Sequence, residues 1–227
     1  MKNIYRTHPL IAPQCRIQME AKWNTEAKSE FATILPDSKT VLFFDGLESK
    51  GTAATRLDMP VTFGSFYFEF TVREPLFGTA VMFGLGTEDI RLSYDDYNYV
   101  PLIGMNQNGW ALSYKGTVWH NGKYKKFCEP FFEENTCIGM LYHNKKIHYF
   151  IDGVYRGIAF DNVDPNGKQL YPMVSSTAAD TVIELTTACR LNYSLLDLCA
   201  FKVKKLFKDE IQQLDLPKNL IIFLAHF

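Results

Sequence analysis

Residues Lys146–Phe160 have the sequence KIHYFIDGVYRGIAF, in which two runs rich in aromatic and β-branched residues flank Asp152-Gly153. Aromatic and β-branched side chains favour strands. Asp-Gly favours the tight primed turn that joins two antiparallel strands. The segment therefore predicts a β-hairpin.

Similar short segments, separated by turn-forming dipeptides, recur between about Trp23 and Thr187. Many short strands at regular intervals are typical of an all-β sandwich. Long helical periodicity is absent until about residue 194. Beyond the hairpin, strands are predicted at Thr40–Phe44, Gly64–Val72, Thr79–Gly86, Gly109–Tyr114, Thr136–Tyr142 and Thr181–Thr186. Further turns are predicted at Asn108-Gly109, Asn121-Gly122 and Asn166-Gly167.

The composition fits one domain of ordinary size with an appendage. The chain has 227 residues, of which 47% are hydrophobic, and this is enough to bury a full core. A net charge of −1 gives no general reason to expect a nucleic-acid partner. Lysines cluster at Lys123–Lys126 and between Lys202 and Lys208, and we interpret both clusters as solvated faces.

The cysteines indicate neither a disulfide framework nor a zinc site, because they are odd in number and widely spaced and form no CxxC pair. We expect a reducing compartment, no bound metal and no cofactor. No apolar stretch reaches the roughly 20 residues that a membrane span needs, so we expect a cytoplasmic or nuclear protein without a membrane contact. The cysteines are Cys15, Cys128, Cys137, Cys189 and Cys199.

The C-terminal segment from Ser194 to Phe227 is the first part of the chain with helical periodicity. Leu195, Cys199, Val203 and Leu206 are spaced by four, four and three residues, which places them on one face of a helix. Such a face could pack on the chain's own domain, or it could bind a partner. Ser194 is a plausible N-cap for this helix.

The residue types on this face resemble the BC box of a SOCS box, here residues 194–203. The resemblance implies that Leu195 enters a pocket on Elongin C, which is bound to Elongin B. The small Cys199 would allow close approach of the two helices, and Val203 and Leu206 would extend the contact.

A second motif, residues 211–224, resembles the cullin box of the same module. Asp215 stands where that motif has its first proline, while Pro217 keeps the second, and this puts the strength of cullin binding in doubt. The resemblance implies a cullin of the cullin-5 type with its RING protein as further partners. The matching residues are Ile211, Leu214, Leu216, Pro217 and Leu220, followed by Phe223 and Leu224.

Several segments before the tail together resemble a SPRY domain, a concanavalin-like β-sandwich. With the tail, the chain resembles the family of SPRY domain-containing SOCS box proteins. We therefore expect an N-terminal extension at 1–22, a SPRY domain at 23–189 and an α-helical SOCS box at 190–227. The SPRY-like segments are GSFYFEFTV (64–72), GTAVMFGLGT (78–87), GWALSYKG (109–116), the Lys146–Phe160 hairpin and LYPMVSSTAA (170–179).

In this family the loops at one end of the sandwich bind a short extended peptide that contains asparagine. The resemblance implies that the pocket is formed by Gly78, Thr79, Tyr99, Leu102, Ser175, Ser176, Thr177 and Ala178. Small hydroxylated side chains and exposed amides can recognise a carboxamide, which needs both a donor and an acceptor. Two departures put the exact peptide preference in doubt. Asp45-Gly46-Leu47 replaces an arginine-x-proline segment of other family members, and Ala178-Ala179 replaces tryptophan-glycine.

The resemblance implies a substrate-recognition subunit of an Elongin B/C cullin-RING E3 ubiquitin ligase, with catalysis in its partners. One alternative is a SPRY module outside any ligase, which would bind protein or sugar through aromatic residues such as Trp110, Trp119 and Tyr124. Another is a glycosidase, which needs two facing carboxylates. Its candidates lie in turn-like stretches: Asp95, Asp96, Glu129, Glu133 and Glu134.

His143 and His148 are the histidines to weigh as joint metal ligands. His143 and His148 are five positions apart on a predicted strand pair, so we expect them on opposite faces of the sheet. That placement argues against a shared metal.

Overall fold

The computed structural model describes residues 17–46, 48–62 and 64–191, which form sixteen β-strands and no helix. In chain order the strands are β1 (Ile17–Gln18), β2 (Trp23–Lys28), β3 (Ala32–Ile34), β4 (Thr40–Phe43), β5 (Thr52–Leu57), β6 (Ser65–Val72), β7 (Val81–Thr87), β8 (Ser93–Tyr94), β9 (Gly109–Ser113), β10 (Thr117–His120), β11 (Lys123–Lys126), β12 (Cys137–His143), β13 (Lys146–Ile151), β14 (Val154–Phe160), β15 (Leu170–Ser176) and β16 (Thr181–Leu191).

The strands form two antiparallel sheets of eight. Sheet 1 has the order β14-β13-β12-β6-β16-β4-β3, and β1 pairs with the far end of β16. Sheet 2 has the order β11-β10-β9-β7-β15-β5-β2, and β8 pairs with the start of β5. Central neighbours in each sheet come from distant parts of the chain, as in the pairing of β6 with β16 and of β7 with β15.

The main core lies between the two sheets. Alternate side chains of each strand point into this space, as the pleat requires. Phe70 of sheet 1 contacts Phe83 of sheet 2 with ring centroids 6.1 Å apart. Tyr149, fully buried on β13, donates a 2.8 Å hydrogen bond to the carbonyl oxygen of Phe83. The buried hydroxyl is therefore paired. Its hydrogen bond also connects sheet 1 to sheet 2.

A second apolar layer covers the outer face of sheet 2. Met82 and Met173 point away from the main core and pack against Ile90, Leu102 and Ile103. The last three come from residues 88–108, which connect β7 to β9 across this face. The central strands of sheet 2 are thus buried on both faces, and the covering segment carries Tyr99 to one end of the sandwich.

The predicted β-sandwich is confirmed, and each predicted strand overlaps an observed one. The hairpin turn is the primed type, because Asp152 and Gly153 have φ values of 52° and 73°. β16 is longer than predicted: it continues past Thr186 to Leu191 through a bulge between Leu185 and Thr187. The bulge places an extra residue in β16 and lets the strand keep pairing with β6.

The predicted BC box, cullin box and most of the N-terminal extension lie outside the described residues. The compact unit described here ends at Leu191. Within the described part of the chain, no segment forms a helix long and apolar enough to cross a membrane.

Candidate peptide-binding site

Three connections meet at one end of the sandwich because each one crosses between the sheets there. They are residues 44–51, 73–80 and 177–180. Together with residues 88–108, which cover sheet 2, they border an open pocket of about 400 Å³. The pocket is lined by Glu48, Ser49, Phe77, Gly78, Thr79, Tyr99, Thr177, Ala178 and Ala179.

Two hydrogen bonds join three of these segments into one wall. The Tyr99 hydroxyl donates to the carbonyl oxygen of Ser49 over 2.7 Å. The Ser49 hydroxyl donates to the carbonyl oxygen of Thr177, also over 2.7 Å. Loops held in this way keep the shape of a site before a ligand arrives, which lowers the entropic cost of binding.

Thr177 forms the buried base of the pocket. Its hydroxyl accepts a hydrogen bond from the Ala80 amide at 2.9 Å and donates to the Ala80 carbonyl at 3.1 Å. Its own amide also donates to that carbonyl, at 2.9 Å. Both polar groups of the Ala80 backbone are therefore paired just beneath the pocket.

Gly78 permits a close approach between two of the connections. Its φ of +86° is unusual for a residue with a side chain, and a Cβ there would lie 3.0 Å from the Ala178 Cβ and 3.1 Å from the Thr177 hydroxyl. The Tyr114 hydroxyl donates a 2.7 Å hydrogen bond to the Gly78 carbonyl. Burial raises the pKa of Tyr114, so this hydroxyl stays protonated and able to donate.

Several polar groups of the pocket remain available to a ligand. Among the described residues, the Thr79 hydroxyl and the amides of Gly78, Thr79 and Ala179 have no hydrogen-bond partner. The hydroxyls of Ser49, Tyr99 and Thr177 are used within the wall. The pocket thus offers unpaired N–H donors, a hydroxyl that can donate or accept, and the exposed ring of Phe77.

Comparison with known proteins identifies the family. A family model described as "SPRY domain" matches residues 65–188, more than half of the chain. The chain belongs to the SPRY domain family. The matched segment runs from the start of β6 into β16 and includes most of the pocket.

Two curated relatives of this SPRY protein share one name with each other. The chain is 29% identical over 227 residues to "SPRY domain-containing SOCS box protein 3" of Xenopus tropicalis, with 96% of this chain and 62% of the relative covered. It is 29% identical over 204 residues to the protein of that name from Xenopus laevis, with 87% of this chain and 55% of the relative covered. The chain thus spans about three fifths of the length of these relatives.

Solved structures support the same fold. The SPRY domain of human HERC1 has a TM-score of 0.58 at 15% identity, and the match covers 76% of this chain and 99% of that one. The TRIM65 PSpry domain has a TM-score of 0.56 at 12% identity, and the match covers 74% and 90%.

The SPRY fold brings together five of the eight predicted pocket residues. The other three are buried and do not line the pocket. Leu102 is 1% exposed in the apolar layer on sheet 2. Ser176 is buried and bonded to the Thr181 hydroxyl over 2.8 Å, and the buried Ser175 hydroxyl has no hydrogen-bond partner. The five that line the pocket are Gly78, Thr79, Tyr99, Thr177 and Ala178.

Four lining residues were not predicted from the sequence. Phe77 and Ala179 directly adjoin predicted pocket residues. Glu48 and Ser49 follow Asp45-Gly46-Leu47, the segment where the chain is expected to depart from the family pattern. That expected departure was the available signal, because it falls in the same connection.

The expectation that His143 and His148 lie on opposite faces was wrong. His148 pairs with Leu141 across β12 and β13, and His143 is two residues beyond Leu141, so both histidines belong to the outer face of sheet 1. Two strands joined by a short turn reverse direction, and counting along one strand therefore misplaces the second residue. No group of three or more His, Cys, Asp or Glu residues in the described chain could hold a metal.

The candidate glycosidase carboxylates do not line the pocket. All five are exposed side chains in connecting segments. Of the aromatic residues considered for sugar stacking, Trp110 is buried and stacks on His120 at 4.6 Å. Trp119 stacks on the exposed Tyr124, also at 4.6 Å.

Proposed function

We propose that this chain is the substrate-recognition subunit of an Elongin B/C cullin-RING E3 ubiquitin ligase. Its SPRY pocket would hold a short asparagine-containing peptide of the substrate, which would then be ubiquitinated and degraded by the proteasome. One observation carries the proposal. The alignment with a SOCS box protein covers 96% of the chain, whereas the SPRY model ends at residue 188. Since 4% of 227 residues is about nine, the alignment must extend into the segment after Leu191.

The unpaired polar groups of the pocket can hydrogen-bond a carboxamide. The unpaired amides of Gly78 and Ala179 can donate to its oxygen, and the Thr79 hydroxyl can accept from its nitrogen. Asparagine offers both an acceptor and two N–H donors to these groups, whereas an aspartate carboxylate offers acceptors only.

The tail would recruit the ligase. Leu195, Cys199 and Val203, with Leu206, would bind Elongin C, and the segment from Ile211 to Leu220 would engage the cullin. The chain would contribute no catalytic group of its own. It would raise the local concentration of substrate lysines near the charged E2 enzyme.

Co-expression with Elongin B and Elongin C, followed by size-exclusion chromatography, tests the proposal. We expect the intact chain to co-elute with both partners and a Leu195→Pro, Cys199→Phe double variant to elute alone. Lys204→Ala is the matched control, because Lys204 lies off the apolar stripe, and it should retain binding. If the intact chain does not co-elute, the ligase assignment fails and a SPRY binding module outside any ligase remains.

A further inference from the structure

The pocket carries negative charge without a compensating cation. Of its lining residues, only Glu48 is charged. Glu48 is exposed and forms no ion pair with any described residue. Asp180 adds to this charge, because its carboxylate accepts a 3.1 Å hydrogen bond from the Gly46 amide and is thereby held beside the connection that carries Glu48.

Asp45 extends the same acidic surface. It is exposed in the connection that carries Glu48 and precedes Gly46 directly. Lys50 is exposed two residues beyond Glu48 but does not line the pocket. A ligand with an acidic residue here would meet like charge, which costs binding energy.

Aromatic rings stand beside the carboxylate. Phe77 and Tyr99 line the pocket and are 53% and 36% exposed. Tyr97 is 58% exposed, and its ring centroid lies 6.4 Å from that of Tyr99. Ring faces attract a cation placed over them, and a carboxylate at the same site adds a direct ion pair.

We propose that the pocket selects peptides in which a lysine or arginine accompanies the asparagine, with Glu48 pairing with the cation. The inference rests on the proposed role of the pocket as a peptide receptor. The open amides and the Thr79 hydroxyl hold the carboxamide, and the Glu48 carboxylate and the aromatic rings hold the basic side chain.

Peptide binding to the whole 227-residue chain tests the charge preference. The probes are fluorescein-labelled nine-residue peptide pools with a central asparagine, one further position fixed as arginine, citrulline or glutamate, and the remaining positions randomised. Citrulline matches arginine in shape but is neutral. We expect the best arginine pool to bind about fivefold more tightly than its citrulline counterpart, the size of an exposed ion pair, and the glutamate pool to bind most weakly. Raising the salt concentration should reduce the arginine advantage.

Two variants locate the effect. Glu48→Gln should remove most of the difference in affinity between the arginine and citrulline pools. Glu88→Gln, an exposed carboxylate just after β7 at the opposite end of the sandwich, should retain the difference. Thr79→Arg, which places a bulky cation in the pocket at an exposed position, should abolish binding of all pools.

The outcomes separate the two proposals. If the pools bind and Thr79→Arg blocks them, but arginine has no advantage or Glu48→Gln preserves it, the charge preference is overturned and the peptide pocket stands. If no pool binds, the peptide-receptor role of the pocket is overturned together with the preference. Co-elution with Elongin B and Elongin C is independent of either result.

Discussion

The Ser49 hydroxyl donates a 2.7 Å hydrogen bond to the carbonyl oxygen of Thr177, 128 residues further along the chain. The bond joins the β4–β5 connection to the β15–β16 connection across the mouth of the sandwich. Ser49 also accepts the Tyr99 hydroxyl through its own carbonyl. Ser49 therefore links the three segments that form one wall of the candidate pocket.

Ser49→Ala should weaken peptide binding without unfolding the protein. The variant loses the hydroxyl that donates to the carbonyl oxygens of Thr177 and Gly51, which costs about 1 kcal/mol of stability. The two connections are then no longer joined by this side chain. We expect a several-fold loss of affinity in fluorescence polarisation with the peptide pools. Ser65→Ala is the control, because it removes a 2.6 Å hydrogen bond to His143 at the opposite end of β6. An equal loss of affinity in both variants would contradict the role of Ser49 in the pocket.

Gly78→Ala should reduce both stability and peptide binding. A methyl group there would contact Ala178 and the Thr177 hydroxyl in addition to adopting an unfavourable φ. Gly167→Ala isolates the second effect, because Gly167 has a φ of +81° but open space around it. We expect the control to lose about 1 kcal/mol and Gly78→Ala to lose more, as measured by urea unfolding. Equal losses would mean that the connection shifts without cost.

Thr177→Val should be more destabilising than Thr177→Ser. Valine keeps the shape of threonine but leaves the buried Ala80 amide without its hydroxyl acceptor. An unpaired buried donor costs about 1–3 kcal/mol. Serine keeps the hydroxyl, so its melting temperature should stay near that of the wild type. If the serine and valine variants melt at the same temperature, the hydrogen bond contributes nothing to stability.

Stability should fall as the pH drops from about 6.5 towards 4. Burial, with the nearby positive charges of His143 and Lys146, lowers the pKa of His148 from 6.5 to about 4. The unfolded chain therefore takes up a proton in this range before the folded chain does, and protonation favours unfolding. Above pH 6.5 both states hold neutral His148, so its contribution is constant. Urea unfolding at pH 7.0, 5.5 and 4.5 measures the effect.

Two variants assign this pH dependence. His148→Gln should flatten the dependence between pH 6.5 and 4, and a residual slope should remain because burial also lowers the pKa of His143. Tyr155→Phe removes the 3.0 Å hydrogen bond between the Tyr155 hydroxyl and His148 Nδ1 but keeps the titrating ring. Tyr155→Phe should lower stability at neutral pH but keep the dependence of the unfolding free energy on pH. An unchanged slope in His148→Gln would rule out His148 as a source.

Local sequence chemistry predicted eight of the sixteen strands and several turns. Asp152-Gly153 gives a primed turn because both positions adopt positive φ readily, and the flanking aromatic runs pair with each other across it. Gly78-Thr79 and Thr177-Ala178 were predicted as pocket residues by resemblance to family segments, and the fold places both pairs in one pocket.

Burial of the remaining predicted residues depended on tertiary packing. Leu102 and Ser175 belong to the outer side of sheet 2, which residues 88–108 cover with an apolar layer. Strand alternation shows which residues share a face but not whether that face is solvated. Ser175 therefore looked available from the sequence and is buried in the fold.

The local pattern of the chain determined that it would form strands, where it would turn and which side chains would alternate, because those properties depend on neighbours within a few residues. The pairing of Ser49 with Thr177 and the approach of Gly78 to Ala178 were decided by the order of strands in two sheets. The same strand order placed the Glu48 carboxylate at the pocket. These relationships join positions up to 128 residues apart, and only packing of the two sheets brings such positions within contact distance.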